Sequence, residues 1–241
     1  MRFQGKSAIV TGASRGLGAA LAQGLAREGA RVVLVARDEA PLSAVVEAIR
    51  DAGGEAHALS ADLGEKQDIH RISGAAAALV GPIDIVVHNA STLGKTPLRS
   101  LLDTECEDFE RVLAVNLLGP FRLSRALAGS MLLRGGGTLL HVSSDAAQNA
   151  YADWGAYSVS KAALDHLSRL WAEELRPFGV RALSVDPGEM DTQMHRAALP
   201  DADPKTLARP ETVAERILQV LADPELPSGS RVEAANYGGE S

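Results

Sequence analysis

The sequence predicts a doubly wound α/β sheet, parallel and covered by helices on both faces. Three observations lead there. Short runs of Val, Ile and Leu alternate with longer helical patterns along the whole chain. Those runs are apolar at successive positions rather than at every second one, as strands buried on both faces must be. Glycines close several of the helices, and a glycine-rich turn stands directly behind the first apolar run.

The strands fall in order at Ala8-Ile9-Val10, Val32 to Val35, Ala56 to Leu59, Ile83 to Val87, Thr138 to Val142 and Val180 to Val185. Between them the helical pattern covers roughly 17 to 29, 39 to 52, 66 to 80, 104 to 134 and 155 to 177, with a last helix near 211 to 222. Gly29, Gly53 and Gly81 sit where a left-handed C-terminal cap is needed. Helix 155 to 177 carries Ala156, Val159, Ala163, Leu167, Leu170, Trp171 and Leu175 around most of its circumference. A helix apolar on several sides needs several partners, so a homodimer or homotetramer is expected. One stretch breaks the rhythm: residues 189 to 210 are rich in Asp, Pro and Met without a long period. A connection of that length usually serves function, and it is the candidate substrate lid.

The chain has 241 residues and no composition shift that would divide it, so one domain over 1 to 241 is expected. Hydrophobic residues make up 46% and aromatics 4%, which suits small side chains packed closely between helix and sheet. A net charge of −7 argues against general nucleic-acid binding, which needs a concentrated basic face. Cys106 is the single cysteine, so no intrachain disulfide and no multi-cysteine zinc site can form. His57, His70, His141 and His166 show no ligand spacing, and no metal is expected. With no signal-like apolar core at the N-terminus and no long apolar run, a cytoplasmic protein without membrane association is expected.

The turn Thr11-Gly12-Ala13-Ser14-Arg15-Gly16-Leu17-Gly18 joins the first strand to a helix. Unpaired amides and the positive dipole end of that helix suit a pyrophosphate, and glycines let it approach the backbone. The spacing is GxxxGxG rather than GxGxxG. The second strand ends Val35-Ala36-Arg37-Asp38. An acid there would bind a ribose 2′-hydroxyl, whereas Ala36 followed by Arg37, with Arg15 in the turn, favours a 2′-phosphate and hence NADP(H) over NAD(H). Asp38 equally suits a helix cap. Asp62, at the end of the third strand and followed by Leu63, suits either an adenine contact or a cap. Asn89 follows the fourth strand, at the switch point where such sheets bind ligands, or is a structural amide.

Tyr157 and Lys161 stand four apart, thirteen residues after Ser144. On a helix that spacing puts a phenol and an ammonium on one face. A cation near a phenol favours the phenolate. At ~4 Å and an effective dielectric of ~20 the attraction is about 4 kcal/mol. That is equivalent to roughly three pKa units below the usual ~10 of tyrosine. The expectation is a phenol shifted toward neutral pH and able to act as general acid or base.

With these motifs on the page, the chain closely resembles the short-chain dehydrogenase/reductase family over essentially its whole length. Thr11 to Gly18 resembles its TGxxxGxG turn, His88-Asn89-Ala90-Ser91 its NNAG motif, Asn116 its helix asparagine, Ser144 with Tyr157 and Lys161 its catalytic centre, and Pro187-Gly188 with Thr192 its PGxxxT segment. His88 and Ser91 depart from NNAG. The resemblance implies a Rossmann domain with a mostly seven-stranded parallel sheet. It also implies hydride transfer between NADP(H) and a carbonyl or secondary alcohol, a small-molecule substrate. In that reading Tyr157 exchanges the proton, Ser144 binds the reacting oxygen, and Lys161 holds the ribose and acidifies Tyr157. Asn116 anchors a water, Ala90 lies with Asn89 against the coenzyme, and Thr192 with the backbone near Gly188 fixes the carboxamide. Tyr151 and Trp154 either line the substrate pocket or pack, and His195 is expected to be solvent-exposed. A non-catalytic dinucleotide sensor would not need the Ser, Tyr and Lys set. A sugar-nucleotide epimerase or dehydratase would need more chain after Gly188 for a substrate domain.

Overall fold

The computed structural model describes residues 1–237; residues 238–241, the end of the expected domain, lie outside them. Seven parallel strands form one sheet in the order β3-β2-β1-β4-β5-β6-β7. They are β1 (Ser7–Thr11), β2 (Arg31–Ala36), β3 (Glu55–Ser60), β4 (Ile85–His88), β5 (Gly137–Val142), β6 (Val180–Asp186) and β7 (Arg231–Glu233). The seventh strand is three residues long and only partly buried, so it leaves no apolar run in the sequence.

The alternation of a strand sends neighbouring side chains to opposite faces. Ala8 and Val10 meet α1 (Gly16–Arg27), α2 (Glu39–Asp51) and α8 (Pro210–Ala222) through Leu21, Leu42 and Ile217. Ile9 and Val86 meet α3 (Lys66–Val80), α5 (Gly119–Arg134) and α6 (Gly155–Leu175) through Ile72, Leu123 and Ala172. Both faces are thus covered, which is why the strand sequences are apolar throughout.

The expected helix 104 to 134 requires correction. It begins at Cys106, runs as α4 to Leu113, widens into a π turn over Ala114–Leu118, and continues as α5. Gly119 N–H bonds back five residues to the Ala114 carbonyl, and Pro120 has no N–H to offer the carbonyl of Asn116. The wider turn holds Asn116, fully buried, against Thr92 in the loop after β4 and Ser160 of α6.

Residues 189 to 210 contain the short helix α7 (Gln193–Ala198) and a single turn at Pro204–Thr206. The two ends of this segment are tied together. Met190 and Ala208 form a parallel bridge, with Ala208 N donating to Glu189 O at 3.1 Å and Asp191 N to Ala208 O at 3.0 Å.

His88 and His141 face each other across β4 and β5. Their rings stack with centroids 4.8 Å apart and planes 11° from parallel. His88 Nε2 lies 2.8 Å from Ser124 Oγ, and His141 Nδ1 lies 3.0 Å from Ser168 Oγ. Burial holds both imidazoles below their ordinary pKa: His88 well below, with the neighbouring His141 adding to the effect, and His141 to about 4, with Lys161 adding to it. Among the described residues no helix is long and apolar enough to cross a membrane, and no group of three metal-ligating side chains forms.

Candidate active site

The sheet order reverses between β1 and β4, and a cleft of about 810 Å³ opens at the strand ends there. Crevices at such switch points are where doubly wound sheets take ligands. One wall is the turn from Gly12 to Gly18, and the backbone geometry explains its glycines. A Cβ on Gly18 would stand 2.2 Å from the Gly12 carbonyl oxygen, and one on Gly12 would stand 2.8 Å from Ala90 Cα at a φ of +66°. No side chain caps the N-terminus of α1, so its first amides remain available. Asn89 Nδ2 donates to the carbonyls of Thr11 and Gly12 at 2.9 and 3.2 Å, and the Thr11 hydroxyl accepts from the N–H groups of Asn89 and Ala90. Asn89 therefore holds the glycine turn and borders the cleft at once.

At one end of the cleft stand Ala36, Arg37 and Asp38. Asp38 does not cap α2; its carboxylate pairs with Arg15 at 2.6 Å. The other Arg15 nitrogen donates to Gln193 Oε1 of α7, joining the turn to residues 189 to 210. Arg37 is exposed and makes no ion pair among the described residues. Asp62 does not cap α3 either: its Oδ1 accepts from Gly64 N at 2.8 Å and its Oδ2 from Arg111. Arg111 also lines the cleft, a residue for which the sequence offers no signal.

At the other end, Tyr157 and Lys161 emerge from α6 with 8% and 2% of their surfaces exposed. Lys161 Nζ lies 5.5 Å from the Tyr157 ring centroid and donates to the Val142 carbonyl at 2.7 Å. Trp154 packs edge-on against Tyr157, centroids 5.7 Å apart, and Tyr151 packs edge-on against Trp154. The Ser144 hydroxyl is near enough to the Tyr157 phenol to favour its ionised form. It also accepts from Ala146 N at 3.2 Å and lies 3.0 Å from Asp145 Oδ1.

The expected acidification of Tyr157 is corrected by these surroundings. Burial pushes the phenol up to about 12; the neighbouring hydroxyls of Ser144 and Ser91 oppose that rise, and the charges of Asp186 and Asp145 reinforce it. Desolvation also brings Lys161 down to about 8, against the pull of Asp165 and Asp186. Both partners are removed from water, and that desolvation outweighs their pairwise attraction. At neutral pH Tyr157 is therefore a protonated phenol, and Lys161 is mostly an ammonium.

The remaining site residues are placed as follows. Asn116 Oδ1 accepts from Thr92 N at 2.8 Å, and its two amide hydrogens go to Thr92 O and Ser160 Oγ, while Pro120 leaves its backbone carbonyl without the regular helical donor. It is a strut between the loop after β4 and α6. Gly188, at a φ of +72°, does not border the cleft, whereas Pro187 and Thr192 do. The Thr192 hydroxyl caps α7 by accepting from His195 N at 3.2 Å. His195 is mostly enclosed, its side chain 12% exposed and 3.8 Å from Glu189, where solvent exposure was expected. Ser14, Gly16, Leu17, Leu63 and Ala90 all line the cleft.

Sheet order, glycine turn and the phenol, ammonium and hydroxyl at one strand edge define a Rossmann-type protein with groups placed for proton transfer. The family model described as short chain dehydrogenase matches residues 6–203, and the chain belongs to that family of oxidoreductases. Among curated relatives, 7α-hydroxysteroid dehydrogenase of Escherichia coli K12 is 33% identical over 208 residues, covering 86% of this chain and 80% of that one. An uncharacterized oxidoreductase of Thermotoga maritima is 32% identical over 190 residues, 79% of this chain and 73% of its own. Among solved structures, a metagenomic short-chain oxidoreductase in complex with NADP superposes with a TM-score of 0.82 at 33% identity, covering 96% and 99% of the two chains. A 7α-hydroxysteroid dehydrogenase complexed with NADH and 7-oxo glycochenodeoxycholic acid gives 0.89 at 30% identity, covering 99% and 96%.

Proposed function

We propose that this protein is an NADP(H)-dependent oxidoreductase acting on a carbonyl or secondary alcohol. In this reading residues 1 to 241 work as one cytoplasmic domain, and 189 to 210 form the substrate lid. The observation that carries the reading is the buried Tyr157 hydroxyl beside Ser144 and Lys161, at the cleft into which the glycine turn opens. The bound coenzyme supplies or accepts the hydride at its nicotinamide C4. Tyr157, protonated at neutral pH, gives its proton to the substrate oxygen in reduction and takes it back in oxidation. The Ser144 hydroxyl steadies the charge that develops on that oxygen. The Lys161 ammonium holds the ribose hydroxyls and carries the positive charge that balances a transient phenolate.

The residues fit a dinucleotide: Gly12 and Gly18 admit no Cβ, and no side chain among the described residues caps the first amides of α1, which suit a pyrophosphate. Relatives bound to NADP and to NADH support a nicotinamide coenzyme of either kind. Arg37, without a carboxylate partner among the described residues, Arg15 at the same end of the cleft, and no acid at Ala36 favour the 2′-phosphate. Val159 and Leu170, 47% and 46% exposed on α6, support a homodimer or homotetramer with that face covered.

Loss of NADPH absorbance over a panel of ketones, aldehydes and 3-oxoacyl thioesters tests the reading. Tyr157→Phe should lower turnover by about 10²- to 10⁴-fold, with coenzyme affinity little changed. Tight coenzyme binding with no turnover in the wild type would refute it in favour of a dinucleotide sensor. Arg37→Ala should shift the NADPH to NADH preference toward NADH, and an unchanged ratio removes the coenzyme assignment.

A further inference from the structure

Strand β7 lies at the sheet edge, yet its first residue reaches the polar groups behind the proposed centre. Arg231 Nε donates to Asp165 Oδ2 at 3.0 Å, and Nη2 donates to Asp186 Oδ2 at 2.9 Å and to the Ser144 backbone carbonyl at 3.0 Å. Each partner belongs to the surroundings of the Ser, Tyr and Lys set. Asp165 follows Lys161 by one turn of α6, Asp186 ends β6 just before Pro187, and Ser144 is the hydroxyl beside Tyr157. The side chains are little exposed, 16% for Arg231 against 10% and 8% for the carboxylates, so solvent screens the three charges weakly. Arg231 itself does not border the cleft.

We propose that Arg231 is a positioning residue of the catalytic centre: its guanidinium fixes the Ser144 backbone and neutralises the two carboxylates behind Lys161. Both the seat of the serine and the charge of the lysine then depend on the edge strand. The inference rests on the oxidoreductase reading above.

The charged and titratable groups around Lys161 are Tyr157 and Asp165 on α6, Asp186 ending β6, His141 in β5 and Arg231 on β7; Asp145, after β5, bears on Tyr157. Asp165 and Asp186 both favour the lysine ammonium, and Asp186 also disfavours the Tyr157 phenolate. Without the guanidinium those carboxylates act unopposed. Lys161 then holds its proton more tightly, and Tyr157 is less able to release its own. A three-point grip needs the planar fork of arginine, since an ammonium can replace the charge but not all the contacts.

The direct test is a titration of carbon-13-labelled lysine side chains by NMR, with the Lys161 signal assigned by its loss in Lys161→Met. This measurement requires no turnover. Arg231→Gln should raise the Lys161 midpoint by about one unit or more. Arg231→Lys should leave the midpoint in place while kcat falls about tenfold with coenzyme KM unchanged, because Ser144 loses its anchor. Asp165→Asn, which keeps Arg231, should lower the midpoint, and it serves should Arg231→Gln fail to fold. An unmoved midpoint in folded Arg231→Gln, or in Asp165→Asn, overturns the proposal whether or not the wild type turns over. A midpoint that moves as stated, in a wild type inactive on the whole panel, supports the charge coupling and sinks the oxidoreductase reading alone.

Discussion

Lowering the pH from about 7 to about 5 should destabilise this protein through the stacked imidazoles of β4 and β5. His141 is neutral in the fold because burial brings its pKa from 6.5 to about 4. The unfolded chain binds a proton at the ordinary value, so between those two pKa values the unfolded state carries more protons than the native one. Stability is then full above 6.5 and is lost as the pH falls toward 4. Linkage gives a loss of about 2 kcal/mol at pH ~5 and about 3 kcal/mol below pH ~4 from this one group. His88 is shifted in the same direction and adds to the loss. Urea unfolding followed by tryptophan fluorescence at the two pH values measures it. His141→Met removes the titration; its cost from the lost Ser168 bond is common to both pH values and cancels in the comparison. The wild type should lose about 2 kcal/mol more than His141→Met between pH ~7 and ~5. Equal losses in the two proteins would refute the argument.

The raised phenol makes the two directions of the reaction differ with pH. Oxidation needs the phenolate, which is scarce below about 12, so kcat/KM for an alcohol should climb about tenfold per pH unit between pH ~6 and ~7, below the Lys161 value of about 8, while carbonyl reduction stays flat there; a flat oxidation profile would contradict that assignment. Gly18→Ala places a methyl 2.2 Å from the Gly12 carbonyl oxygen, and calorimetry should find coenzyme binding lost, along with about 1–3 kcal/mol of stability in denaturant titrations. Leu170→Asp puts a charge on the uncovered face of α6 and should reduce the mass seen by light scattering, whereas an unchanged mass would place the contact between copies elsewhere.

Those parts of the fold that rest on repeated apolar side chains were legible in the sequence. Six strands and five helices stand within a few residues of where periodicity puts them, because burial on two faces leaves a continuous signal. Strand β7 left none, being short and half-exposed, and the π turn left only Pro120. The glycine turn was readable because its constraint is local: Gly12 and Gly18 touch their own turn and Asn89. What depends on distant partners was not. Arg111, Gln193 and Arg231 reach the site's surroundings from elements that carry no motif. The direction of the Tyr157 shift was missed for the same reason, since spacing along a helix reveals the neighbouring ammonium but not the loss of water.

The π turn at Ala114–Leu118 gives α4 and α5 together one residue more than a regular helix would use to cover the same rise. Excising that surplus would yield a better-bonded rod, yet every side chain beyond it would swing by about 100° around the axis. Leu123, Leu127 and Met131 would leave the sheet, and arginines 122, 125 and 134 would sweep toward the interior or across the surface. The register of a whole layer of the core is thus locked to a single extra peptide, so tolerance to insertions and deletions should vanish between residues 106 and 134 even where side chains can be exchanged freely.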